Sequence, residues 1–122
     1  MLEWLASAPV ADAHVVMGDF NADPAEPTVA RMGAAGYRSA FAEATGADPA
    51  VTWPSGLQAP AMDTDGSPEC LDYIWVRGSV RVASARLAFD RHAVDDPTLY
   101  PSDHLGIETR LEVEPAGAAA GR

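Results

Sequence analysis

Five polar side chains interrupt apolar runs where an ordinary solvent-facing residue is not expected. Asp19 and Asn21 lie in "HVVMGDFNADP" (14–24), Asp72 in "LDYIWV" (71–76), and Asp103 with His104 in "PSDHLGI" (101–107). In "GDFN" a carboxylate can hold a metal-bound water or act as a base, and a carboxamide can donate hydrogen bonds to an oxyanion. Side chains alternate along an extended backbone, so Asp19 and Asn21 point the same way if the strand continues, with Phe20 packed behind. Gly18 leaves room for close approach. Asp and Asn also form turns, so the stretch taken alone reads equally as a turn or a site.

Asp72 shares a strand face with Ile74 and Val76, while Leu71, Tyr73 and Trp75 share the other. A carboxylate on an apolar face costs on the order of several kcal/mol unless it is paired. Asp72 therefore either sits at a strand end reached by water or has a partner. Histidine is the fitting kind, because an Asp fixes the tautomer of an imidazole and raises its basicity. Asp103 and His104 precede an apolar strand, and a loop-to-strand junction can turn both toward one site. The plainer alternative makes Ser102 or Asp103 a cap and His104 an edge residue. His14 and His92 have no comparable setting. "MDTDGSPE" (62–69) faintly echoes a calcium loop but lacks the ligand series and the flanking helices, so it reads as a solvated acidic loop.

The elements that must carry these groups follow from pattern and punctuation. Leu2 and Leu5 at i, i+3 spacing predict the end of an amphipathic helix. Residues 14–20 form a strand, and Pro27 opens a helix that Gly36 stops near Ala35. "YRSAFAEATG" is ambiguous, with helix favoured over Ser39–Ala44, and "AVTWP" is a short strand cut by Pro54. Residues 71–76 are a strand, Gly78-Ser79 a tight turn, 80–89 its hairpin partner, and 104–113 the last strand. Residues 55–70 and 90–103 are long loops, and 114–122 reads as a disordered tail. Helices early and strands late predict an α+β domain with a mixed or antiparallel sheet over residues 1–113. Both "HVVMGDF" and "LDYIWV" are apolar on both faces, so the sheet needs two covers. This chain supplies one convincing helical layer.

A chain of 122 residues with 48% hydrophobic and 21% charged residues has globular composition. Its net charge of −10 repels phosphate backbones at long range and argues against generic nucleic-acid binding. It does not argue against metal-assisted phosphoester chemistry, in which a cation screens the site locally. Cys70 is the only cysteine, which excludes an intrachain disulfide and a cysteine-based zinc site. No apolar run approaches the ~20 residues of a membrane span. The N-terminus lacks the basic region of a signal peptide, so a cytoplasmic location is the default expectation.

Together and in this order, "GDFN", "LDYIWV" and "SDHLGI", with "TWPS" ahead of the second, resemble the endonuclease/exonuclease/phosphatase superfamily of DNase I-like folds. The match covers nearly the whole chain and looks like the C-terminal half of such a domain. The resemblance implies half of a four-layer α/β sandwich and divalent-metal-dependent phosphoester hydrolysis, usually with Mg2+ (or Mn2+). Asp19 resembles the Asp that orients or deprotonates the attacking water and contacts the metal. Asn21 resembles the residue that hydrogen-bonds phosphoryl oxygens, Asp103 a metal-site carboxylate, His104 the imidazole that stabilises the pentacovalent phosphate, and Asp72 the acid paired with it.

The first half of the family domain normally contributes an early Asn, a metal-binding glutamate and another His, and none has a counterpart among these residues. Glu3 stands in the wrong context to substitute. Hence an isolated chain is expected to be weakly active or inactive, with an apolar sheet face awaiting a complementary N-terminal half or a second copy. A non-catalytic binding or oligomerisation module, or a truncated fragment, are the alternatives. The substrate class is left open.

Overall fold

The computed structural model describes residues 1–56 and 66–115. Chain order is α1 (Leu2–Ser7), β1 (Ala13–Asp19), α2 (Pro27–Ala34), β2 (Arg38–Ser39), α3 (Ala40–Thr45), β3 (Asp72–Gly78), β4 (Val80–Ala88) and β5 (Gly106–Val113). The architecture is α+β, with three helices set against antiparallel strands, as the sequence predicts. Pro27 occupies the first turn of α2, where its missing N–H costs no hydrogen bond. Ser39 caps α3 by accepting the Ala42 N–H at 3.3 Å, and Gly46 closes it in the left-handed region. Both readings of "YRSAFAEATG" hold in sequence, as a two-residue strand and then a helix.

The strands divide into two sheets rather than one: β1-β3-β2 and β4-β5. β3 is central, with β1 on one edge and β2 on the other, so no edge is left to receive β4. The expected 71–76/80–89 hairpin therefore does not form. At the turn, Gly78 adopts φ 85°, and a Cβ there would lie 2.2 Å from the Asp12 carbonyl oxygen, which accepts the Ser79 N–H. The chain leaves the first sheet at that clasp, and β4 pairs with β5 from Val80↔Val113 to Ala88↔Gly106, with a bulge between Val82 and Ser84. The expected strand at "AVTWP" is only a single bridge between Trp53 and Glu69. Residues 62–65 of the 62–69 acidic stretch, and the tail past Pro115 wholly, lie outside the described residues.

Two clusters hold the fold. Phe20, Tyr73 and Trp75 face Met32, Tyr37 and Cys70 under α1 and α2, with Tyr73 and Trp75 stacked 5.0 Å apart. On the other face Ile74, Val76 and Val80 pack with Ala40 of α3 and with Ile107 and Leu111 of β5. The face assignment made for Tyr73/Trp75 against Asp72/Ile74/Val76 is the one observed. Cover on the second face ends at β1, where Val15 and Met17 are 40% and 66% exposed.

Candidate active site

The antiparallel register of β1 and β3 pairs Asp19 with Asp72, so both carboxylates come to the same end and the same face of the sheet. Gly18, with φ 147° and no atom within 4 Å of a would-be Cβ, leads the strand into that end through a conformation most side chains would strain. His104 arrives from the loop before β5. Its Nδ1–H donates to Asp72 Oδ2 at 2.7 Å, and its Nε2 lies 3.9 Å from Asp19 Oδ2. Ligand atoms of Asp19, Asp72 and His104 all lie within 4.8 Å of one another.

Exposure separates their roles: the side chain of Asp72 is 19% exposed, His104 27% and Asp19 50%. Asp72 is thus the inner partner, and Asp19 the group that faces arriving molecules. Partial burial pulls the His104 imidazole toward neutrality. The hydrogen bond and charge of Asp72, with Asp19 and Asp103 adding, outweigh burial and raise its pKa above the ordinary histidine value. With the Nδ1 proton held by Asp72, Nε2 is the ring atom that faces Asp19.

Asn21 does not follow the expected strand alternation, and what it brings to Asp19 is its backbone N–H. β1 ends at Asp19, and Asn21 takes φ 47°, with its backbone N–H donating to Asp19 Oδ1 at 2.8 Å. The stretch is an Asx-type turn that also orients the Asp19 carboxylate, so turn and site coincide. Phe20 does pack behind, edge-on to Tyr73 and Trp75. The exposed Asn21 amide is adjacent to the cluster through this turn.

Asp103 is not brought into the three-residue cluster. Its Oδ1 accepts from the Ser102 hydroxyl at 3.4 Å, and its backbone carbonyl accepts the Ser55 N–H at 2.8 Å. The carboxylate that stands with Asp19 and His104 is Asp72. The junction is tightened further by the His104 N–H, which donates to Ser102 Oγ at 3.1 Å. Away from the cluster, His14 contacts the Arg77 guanidinium and His92 the Ala93 carbonyl.

Tyr73 is a residue whose part the sequence reading missed. Its buried hydroxyl lies 2.8 Å from the Ala22 carbonyl and 3.0 Å from that of Cys70, joining the loop after Asn21 to the segment before Asp72. The signal was available, because a phenol buried in a strand needs a polar partner. Burial raises the pKa of this phenol and pushes the Cys70 thiol up to about 11, so both remain neutral. Beside the cluster, an open cavity of about 200 Å³ is lined by Met17, Gly18, Ile74, Leu105 and Ile107 together with Asp72.

No curated protein matches the chain. Among solved structures it is similar to an endonuclease/exonuclease/phosphatase family protein from Leptotrichia buccalis C-1013-b, at 23% identity and TM-score 0.60. That similarity covers 89% of this chain and 38% of the other, so the chain spans well under half of its structural relative. No helix among the described residues is long and apolar enough to cross a membrane. Residues 2–104 match the sequence model of the Endonuclease/Exonuclease/phosphatase family, and the chain, three-residue cluster included, belongs to that family.

Proposed function

We propose that the chain forms one wall of a divalent-metal-dependent phosphoesterase site, acting on a phosphodiester or phosphomonoester. The observation that carries this reading is the chain Asp72–His104–Asp19, at 2.7 and 3.9 Å, in a member of this family. Asp72 holds the Nδ1 proton, so Nε2 is the atom presented to substrate. As imidazolium, His104 donates Nε2–H to a non-bridging phosphoryl oxygen and stabilises the charge that develops there. Asp19, half-exposed and oriented by the Asn21 N–H, orients the attacking water and accepts its proton. The Asn21 carboxamide adds a neutral donor to the phosphoryl oxygens.

The donor set fits Mg2+ or Mn2+. Mg2+ is commonly held by one or two carboxylates with substrate phosphate and water completing the shell. Asp19 is the carboxylate free to serve, with Asp72 second and already engaged by His104. Asp103, the metal carboxylate the family resemblance implies, would have to leave its Ser102 contact to join them. When bound, such a cation supplies charge neutralisation and lowers the pKa of water.

The remaining wall, in this reading, comes from a complementary half of the domain packed on Val15 and Met17, whether from further sequence or another polypeptide. A second reading, a non-catalytic docking module, is favoured by the same exposed face. It predicts self-association, and a monodisperse monomer in solution counts against it. Hydrolysis of bis(p-nitrophenyl) phosphate with Mg2+ or Mn2+ tests the leading reading. We expect weak, chelator-sensitive turnover by the 122-residue chain, lost in Asp19→Ala and in His104→Ala. Turnover indifferent to both substitutions would remove these residues from the chemistry. Robust turnover that both abolish would keep the site and overturn the need for a second half.

A further inference from the structure

We propose that Thr52 is a positioning residue, whose hydroxyl and carbonyl clasp the start of β3 to the His104 junction and so set the Asp72–His104 hydrogen bond. The inference rests on the phosphoesterase reading only for its consequence, since the clasp itself is geometric.

Thr52 is completely buried. Its Oγ1 accepts the Leu71 N–H at 2.9 Å and the Asp72 N–H at 3.2 Å, which engages both lone pairs of the hydroxyl oxygen. Its carbonyl accepts the Leu105 N–H at 2.7 Å, one residue past His104. Its own N–H donates to the Glu69 carbonyl at 2.8 Å. One residue thus binds the backbone beside both members of a pair that lie 32 positions apart in sequence. Nearby, the Ser55 N–H bonds the Asp103 carbonyl at 2.8 Å, and the Trp53 ring lies 6.4 Å from the His104 ring.

The body of β3 does not depend on this clasp. Its register with β1 is fixed by seven residue pairs from Ala13↔Gly78 to Asp19↔Asp72, and its core side chains pack on two clusters. Only the first residue of the strand, Asp72, and the His104 junction meet at Thr52. Losing the hydroxyl therefore frees Asp72 and His104 relative to each other before it unravels the sheet. An ordinary space-filling threonine would behave otherwise, since valine of the same shape would replace it with the site unmoved.

The test compares the wild-type chain with Thr52→Val, Thr52→Ser and, as a destabilised control away from the site, Val80→Ala. The readouts are the low-field proton NMR signal of the hydrogen-bonded His104 Nδ1–H, assigned by its loss in His104→Gln, and Mn2+ affinity. We expect the signal in wild type, Thr52→Ser and Val80→Ala. In Thr52→Val it should be lost or broadened, with Mn2+ bound about tenfold more weakly. A folded Thr52→Val chain with signal and affinity intact overturns the proposal, as does a folded Thr52→Ser chain that loses the signal. Should Thr52→Val not fold, Thr52→Ser decides by the same signal. If no variant, wild type included, binds Mn2+, the phosphoesterase reading fails while the Nδ1–H signal still judges the clasp.

Discussion

The two faces of the β1–β3 sheet share a backbone and differ in almost everything else. Toward α1 and α2 lie Phe20, Tyr73, Trp75, Met32 and Tyr37, interlocked, with Tyr73 and Trp75 2–3% exposed. Toward the other side, β3 is covered by α3, β4 and β5, but β1 presents Val15, Met17 and Asp19 to solvent. Polar chemistry collects where the cover stops. Asp19 can be half-exposed there without the cost of a buried charge, while Asp72 and His104, further in, satisfy one another. A face that is finished yields stability, and a face left open yields a place for substrate, metal and further protein to meet.

Substitutions on the two faces should therefore separate stability from function. The largest effect is expected from Met32→Ala on the finished face, about 2–5 kcal/mol of lost stability with a cavity left behind, read by denaturant unfolding. Next is His104→Ala or Asp19→Ala at the open edge. Each should lower metal-dependent turnover by about 100-fold or more, equivalent to about 3 kcal/mol. The melting temperature should change little in Asp19→Ala and fall modestly in His104→Ala, which leaves the largely buried Asp72 without its partner. A melt that falls as far as in Met32→Ala would mean that the site is structural.

Smaller is an alkaline effect on the finished face. The Cys70 thiol, pushed up to about 11 by burial, must remain protonated in the folded chain but not in the unfolded one. Because the folded pKa is raised, its contribution is complete below the unfolded thiol's ordinary value and is lost as pH climbs toward about 11. Stability should fall by about 1 kcal/mol by pH 10, and the fall should flatten in Cys70→Ala, as unfolding titrations at pH 8 and 10 would show. The smallest effect is Met17→Lys on the open face, within about 0.5 kcal/mol in stability. It should still weaken any self-association seen by light scattering, and unchanged association would place the contact elsewhere.

Much of this was readable from the chain alone because it is local. Alternation put Tyr73 and Trp75 on one face and Asp72 with Ile74 on the other, and Pro27 and Gly36 bounded α2. The need of a strand-borne Asp72 for a partner pointed to a histidine, and the family resemblance implied that it is His104, as the 2.7 Å hydrogen bond has it. What escaped was non-local. Periodicity tells which way a strand's side chains point but not which strand lies beside it, so β4 was assigned to β3 when both edges of β3 were already taken. Asn21 obeyed turn chemistry where alternation was expected, since its N–H finds the Asp19 carboxylate two residues back. The hydroxyls of Thr52 and Tyr73 gave no sequence cue to their targets, because those targets are backbone groups of distant segments.

The central claim is that Asp19, Asp72 and His104 form one wall of a divalent-metal site. It is tested most directly by titrating the 122-residue chain with Mn2+ and following paramagnetic broadening residue by residue in NMR spectra. The account predicts that the His104 ring and the backbone around Asp19 and Asp72 broaden first, and that Asp19→Asn removes this selectivity. Broadening spread over the other acidic loops, or equally strong at His104 in Asp19→Asn, would contradict it.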